Sequence, residues 1–257
     1  MNEHNDKKRT LGVLAALPEE LGDVVDAMRA EGGMRTVTLG RREYHLGTVH
    51  GVPCVVTLAR IGKVAAAASA SALIHVFGVE AIVFTGVAGG VGNGVRVGDI
   101  VVAETLMQHD LDASPLFPRY EVPLLGRARF EADAALAGAL TAACERFIAD
   151  EGAALVERFH LHGVRVHRGL IVSGDRFVSS AREVAALAEA VPEALAVEME
   201  GAAIAQVCYE HDVPCAVVRT ISDTADDHAS ASFTSFLTDI AGAYSSGILK
   251  RFLAAYK

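Results

Sequence analysis

"LAVEMEGAAIAQV", residues 195–207, carries a short apolar run and then a small-residue run of helical character. A strand passing directly into a helix is the repeating unit of an α/β fold. Between the two runs Glu198 and Glu200 flank Met199. A buried carboxylate without a partner costs several kcal/mol even after relaxation. Two of them, two residues apart in an apolar setting, require partners or a ligand.

The same alternation extends outward in both directions. "TLGVLAAL" (10–17) is a strand-length apolar run, and Pro18 with Glu19 and Glu20 suits the first turn of a helix. "REYHLGTVHGVPCVVTLAR" (42–60) alternates and predicts a hairpin turning at His50-Gly51. The Ala-rich stretch 62–78 predicts a helix, "AIVFTGVAGG" (81–90) a buried strand ending in a Gly-rich loop, and "GDIVVAETLMQ" (98–108) another strand. Further on, helices are expected over 133–151 and 180–190 and strands over 164–174 and 195–199. A helix over 201–211, a strand over 214–222 and a C-terminal helix from about Ser232 complete the pattern. This predicts one α/β domain over residues 10–257, with a central mixed, mostly parallel twisted sheet flanked by helices. The polar residues 1–9 are expected to be flexible. No repeat or low-complexity tract interrupts the chain.

Composition narrows the function. The 257 residues carry 23 Lys and Arg against 32 Asp and Glu, a formal charge of −9. That balance disfavours nucleic acid and an anionic membrane as partners. No apolar stretch has the length or continuity of a membrane span. Cys54, Cys144, Cys208 and Cys215 form no metal-ligand spacing and sit among apolar residues, so reduced thiols and a cytoplasmic location are expected. Neither a metal nor another cofactor is expected.

In α/β folds ligands sit beyond the C-terminal ends of strands. Here those ends read Leu17–Glu20, Thr85–Gly90, Ser173–Phe177, Glu198–Glu200 and Arg219–Asp223, four of the five bearing a carboxylate. Arg219 is placed to balance Glu200. Taken singly, these features have plainer readings. "TGVAGGVGNG" matches neither a Walker loop nor G-x-G-x-x-G, and is a tight turn or a ligand cradle. Glu19 and Glu20 are ordinary first-turn acids. "SDTADDH" (222–228) suits a helix N-cap, and His109, Asp110 and Asp112 of "QHDLD" are solvated or capping residues before they are a metal trio. Convergence of the strand ends is what favours a pocket.

"LGVLAALPEEL", "TGVAGGVGNGVRVGDIVVA", "GLIVSGDRFV", "AVEMEGAAIAQVC" and "VPCAVVRTISDTAD" run from Leu11 to Asp226. In these stretches the chain resembles the nucleoside phosphorylase/nucleosidase superfamily, and within it the 5′-methylthioadenosine/S-adenosylhomocysteine nucleosidases. The resemblance implies hydrolysis of an N-glycosidic bond to adenine and a 5-thioribose sugar. It implies that Asp223 protonates the adenine leaving group, with Ser222 in support, and that Glu20 activates water. Glu200 would hold the ribose hydroxyls, with Met199 beneath the sugar and Glu198 and Arg219 in support. Phe177 would stack on the base, the Val178 backbone would read its edge, and Phe233 would line the 5′-alkylthio pocket. Val87 stands where many members carry a serine, and residues 108–126 depart from the commonest 5′-pocket pattern. A homodimer is implied, part of that segment completing the neighbour's site.

The chemistry suits these residue types. Cleavage leaves positive charge on the ribose and negative charge on the base, so the site must donate a proton and surround a cation with carboxylates. Holding a proton on an aspartic acid near neutral pH means a rise from about 3.9 to about 7, worth roughly 4 kcal/mol. Two other readings remain: a phosphorylase, and a purine-nucleoside-binding module without turnover.

Overall fold

The computed structural model describes residues 9–161, 163–224 and 229–256. The N-terminal segment expected to be flexible lies outside them except for Arg9, as do residues 225–228 of the expected N-cap stretch.

Leu11–Ala15 forms β1, buried throughout, and Pro18–Leu21 is a single helical turn, α1, with Pro18 in its first turn. Helix α2 (Val24–Glu31) and the exposed edge strand β2 (Arg35–Leu39) follow. Strands β3 (Arg42–Val49) and β4 (Val52–Leu58) make the expected antiparallel hairpin. Its turn residues His50 and Gly51 have φ of 50° and 77°, the two positive values that a tight turn matching strand twist requires. Then come α3 (Lys63–His75), β5 (Ala81–Gly90), β6 (Ile100–Gln108) and the short β7 (Arg129–Glu131). Helix α4 (Ala134–Phe159) starts at Asp133, whose carboxylate accepts the Leu136 N–H at 2.8 Å. It outruns the expected end at 151 because the apolar periodicity continues through Leu155 and Phe159. The remainder is β8 (Val166–Ser173), α5 (Ala181–Ala190), β9 (Ala194–Glu198), α6 (Gly201–Glu210), β10 (Cys215–Asp223), α7 (Ala229–Phe236) and α8 (Gly242–Ala255), the last two joined through a π turn at Leu237–Ala241.

Among the described residues the strands form one mixed sheet. Strands β10, β5, β1 and β4 are parallel neighbours, and so are β6, β8 and β9. The two sets oppose each other where β10 meets β6 and where β5 meets β9. Because β10 pairs with both β5 and β6, the order β10-β6-β8-β9-β5 closes on itself, and β1-β4-β3-β2 extends from it. Side chains alternate between two cores. Leu11, Val13 and Ala15 pack with α4 and α8, whereas Leu14, Val55 and Ile82 pack with α3 and α6.

One junction positions the site. Strands β5 and β9 touch only at their C-terminal ends, Gly89 opposite Val197 and Gly90 opposite Ala196. The two parallel sets therefore meet head to head, and both deliver their C-terminal residues to one crevice.

Candidate active site

A cavity of about 370 Å³ opens at that crevice. Among the residues that line it are Glu20, Val87, Phe177, Val178, Glu198, Met199, Glu200, Asp223 and Phe233, nine of the eleven expected from sequence. The other two lie behind the lining. Ser222 Oγ donates to Asp223 Oδ2 at 2.8 Å, and Arg219 is wholly buried beneath the carboxylates.

Each carboxylate is held differently. Glu20 turns back over the end of β1, and its Oε2 accepts the N–H groups of Ala16 and Leu17, both at 2.8 Å. Its Oε1 accepts the Val87 N–H from the end of β5 at 2.9 Å. Burial raises its pKa above the usual carboxylate value, opposed by the Arg219 charge and these three amides. Gly86 is glycine for lack of space: a Cβ there would fall on the Arg219 guanidinium and 2.6 Å from Glu20 Oε1.

Glu198 and Glu200 divide their tasks. The Glu198 carboxylate accepts the backbone N–H groups of Glu200 and Gly201 at 2.8–3.0 Å, the Ser173 hydroxyl and Arg219 Nη2. It thereby binds the first amides of α6, which have no intrahelical partner. Glu200 reaches across to α3, where the Gly62 N–H donates to Oε1 at 2.9 Å, and its Oε2 lies 3.6 Å from Arg219. Sequence reasoning assigned Arg219 to Glu200; the structure gives its hydrogen bond to Glu198. The guanidinium also lies over the Phe84 ring, 3.8 Å from the centroid, and its Nε and Nη1 have no hydrogen-bond partner among the described residues. Burial, with the Glu198 charge in second place, pushes the Glu200 carboxyl up to about 8. The Gly62 amide and the nearby Arg219 charge offset part of the cost of burying Glu200.

The apolar side is built from Phe177 and Phe233, whose rings stand edge to face with centroids 5.5 Å apart, together with Val178, Met199, Val87 and Ile61. Ile61 and Arg176 were not foreseen. Ile61 precedes a glycine with φ of 97° at the start of α3, and no local signal marks it as a pocket residue.

The "QHDLD" residues diverge. Asp110 Oδ1 pairs with Lys63 Nζ at 2.5 Å and its Oδ2 accepts the Asp175 N–H. Asp112 accepts from the backbone and hydroxyl of Ser114, while His109 packs against Gly174. Among the described residues no group of three His, Cys, Asp or Glu is arranged to hold a metal. No described helix is long and apolar enough to cross a membrane.

A Pro-led turn bearing Glu20, a strand end bearing Glu198 and Glu200, and a last strand ending in Asp223 thus surround one apolar cavity. The profile of the phosphorylase superfamily matches residues 10–254 of this sequence. The chain belongs to the phosphorylase superfamily. Within it the similarity runs to nucleosidases. The chain is 34% identical to the 5′-methylthioadenosine/S-adenosylhomocysteine nucleosidase of Neisseria meningitidis, solved with methylthio-immucillin-A, over 96% of this chain and 99% of that one, with a TM-score of 0.83. The corresponding Streptococcus pneumoniae structure, holding the transition-state inhibitor MT-ImmA, is 32% identical over 96% and 100%, also with a TM-score of 0.83. Futalosine hydrolase of Helicobacter pylori is 31% identical over 95% and 97%, with a TM-score of 0.78. The superfamily fold expected from the sequence is therefore the observed one.

Proposed function

We propose that this protein hydrolyses the N-glycosidic bond of 5′-methylthioadenosine and/or S-adenosylhomocysteine, releasing adenine and a 5-thioribose sugar. Asp223, oriented by Ser222, donates a proton to the base as the bond breaks. Glu20 takes the proton of the attacking water, a role suited to a carboxylate whose pKa is raised. Glu200 accepts hydrogen bonds from the ribose hydroxyls. Met199 packs under the sugar, Phe177 on the base, Val178 at the base edge and Phe233 beside the 5′ substituent. Glu198 and Arg219 hold this arrangement from below, and Val87 gives the ribose side an apolar surface. No cofactor or metal takes part.

The observation that favours water over phosphate is the turn after β1. It presents Glu19, Glu20 and Asp23, and its first cation is Arg29. Arg219 is buried against Glu198 and Glu200, and Arg176, at the cavity, pairs with Glu183. A phosphate dianion would meet carboxylates there, and like charges about 4 Å apart repel by about 4 kcal/mol at an effective dielectric near 20. Incubation with methylthioadenosine and excess phosphate is expected to yield a free pentose at a phosphate-independent rate. A pentose 1-phosphate as the main product would refute hydrolysis.

The futalosine hydrolase similarity favours one further reading, a nucleoside substrate other than methylthioadenosine or adenosylhomocysteine. Side-by-side turnover of methylthioadenosine, adenosylhomocysteine, 5′-deoxyadenosine and futalosine separates the two. A cytoplasmic homodimer completes the proposal. Leu116 and Leu124, both almost fully exposed in the segment 108–126, support self-association.

A further inference from the structure

Helices α3 and α6 pack against each other, and both begin at the cavity: Gly62 precedes α3 and Glu200 precedes α6, joined by their hydrogen bond. At about 1.5 Å per residue α3 ends roughly 20 Å away. There, in its last turn, His75 meets His211, the residue that ends α6. Their Nε2 atoms are 3.3 Å apart, the rings nearly perpendicular at 85° with centroids 4.4 Å apart. Both side chains are exposed.

Several facts bear on what this pair can do. At 3.3 Å the contact is a long hydrogen bond. It equals the edge of a tetrahedron whose corners lie at the zinc–imidazole distance, since about 2.0–2.1 Å from centre to corner gives an edge of about 3.3 Å. A small outward swing of the rings brings both lone pairs onto such a centre. The C-terminal ends of both helices also converge at this point, and that end of a helix favours positive charge. Solvent access leaves room for water to complete the coordination sphere.

We propose that His75 and His211 form a two-imidazole site for a borderline divalent transition cation such as Zn²⁺, with water as the remaining ligands. Occupancy ties the far ends of the two helices whose near ends hold Glu200. The site is separate from the cavity and takes no part in the chemistry there. Hard cations such as Mg²⁺, which prefer oxygen ligands, do not bind it.

The test uses the full chain without a histidine tag, in a non-chelating buffer at pH 7.5, titrated with ZnCl₂ and, as a control, MgCl₂. Calorimetry is expected to give one Zn²⁺ per chain in wild type and none at this site in His75→Ala or His211→Ala. At a free Zn²⁺ concentration about ten times the dissociation constant the folding equilibrium shifts about tenfold. For a chain of this size that raises Tm by about 3–5 °C. The variants, altered only at exposed positions, fold and keep wild-type turnover without metal. Absence of Zn²⁺ binding in wild type would overturn the proposal and leave a hydrogen-bonded histidine pair. Equal binding or equal Tm shifts in wild type and both variants would place the metal elsewhere and overturn it too.

Discussion

At the scale of single residues, the cavity depends on carboxylates in unlike surroundings. Asp223 receives the Ser222 hydroxyl on Oδ2, a bond that an asparagine oxygen can still accept. Asp223→Asn is therefore expected to fold normally and to lose at least about 10²-fold in turnover, the low end for a missing proton donor. Near-wild-type adenine release from the folded variant would remove Asp223 from the mechanism. Glu200 permits a test on stability. Its pKa is raised from 4.5 to about 8, so the fold holds its proton more tightly than the unfolded chain does. The contribution is fully present below the unfolded value and is lost as pH rises through the folded one. Glutamine has no proton to lose. The Tm of Glu200→Gln relative to wild type is thus expected to climb between pH 5 and pH 8 in the absence of ligand, while KM for the nucleoside increases. A Tm difference that stays flat across this range would show that Glu200 is ionised throughout.

At the scale of elements, strands and helices were legible where one local signal sufficed. Pro18 marked the start of α1, His50-Gly51 marked a hairpin, and continuous apolar runs marked β5 and β10. Strand β2 was missed because "RTVTL" lies on an edge, with four of its five residues exposed and little apolar pattern to reveal it. Short β7 exists only through pairing with β6. Residues at strand ends were legible for the same reason as the strands. Ile61 and the Gly62 amide were not, because they reach the site from a helix start that carries no carboxylate. The direction of β6, β8 and β9 relative to β5 was equally invisible, since an apolar run reads alike in either orientation. An element outside the cavity lining gives a control: Asp133 caps α4 through the Leu136 N–H. Asp133→Ala is expected to cost about 1 kcal/mol, a Tm loss of about 2–4 °C. The chemical rate at saturating substrate should not change, and a large loss of turnover would mean that α4 reaches the site.

At the scale of the whole molecule, the 108–126 segment presents Leu116 and Leu124 at 84% and 93% exposure. On the dimer proposed above, these two leucines are the candidates for contact with a second copy. Replacing both with aspartate is expected to shift the protein from dimer to monomer in sedimentation velocity and to lower activity. A wild-type chain that sediments as an active monomer at micromolar concentration would dismiss the dimer.

The order in which the sheet is assembled along the chain has its own consequence. Strand β10, the last, lies between β5 and β6, which were made more than a hundred residues earlier. Glu20 and Glu200 precede it, whereas Asp223 ends it and Phe233 follows. A nascent polypeptide halted on the ribosome before Cys215 would already hold both glutamates, but neither Asp223 nor the closing strand. During synthesis, the cavity gains its full lining only once that final insertion has taken place.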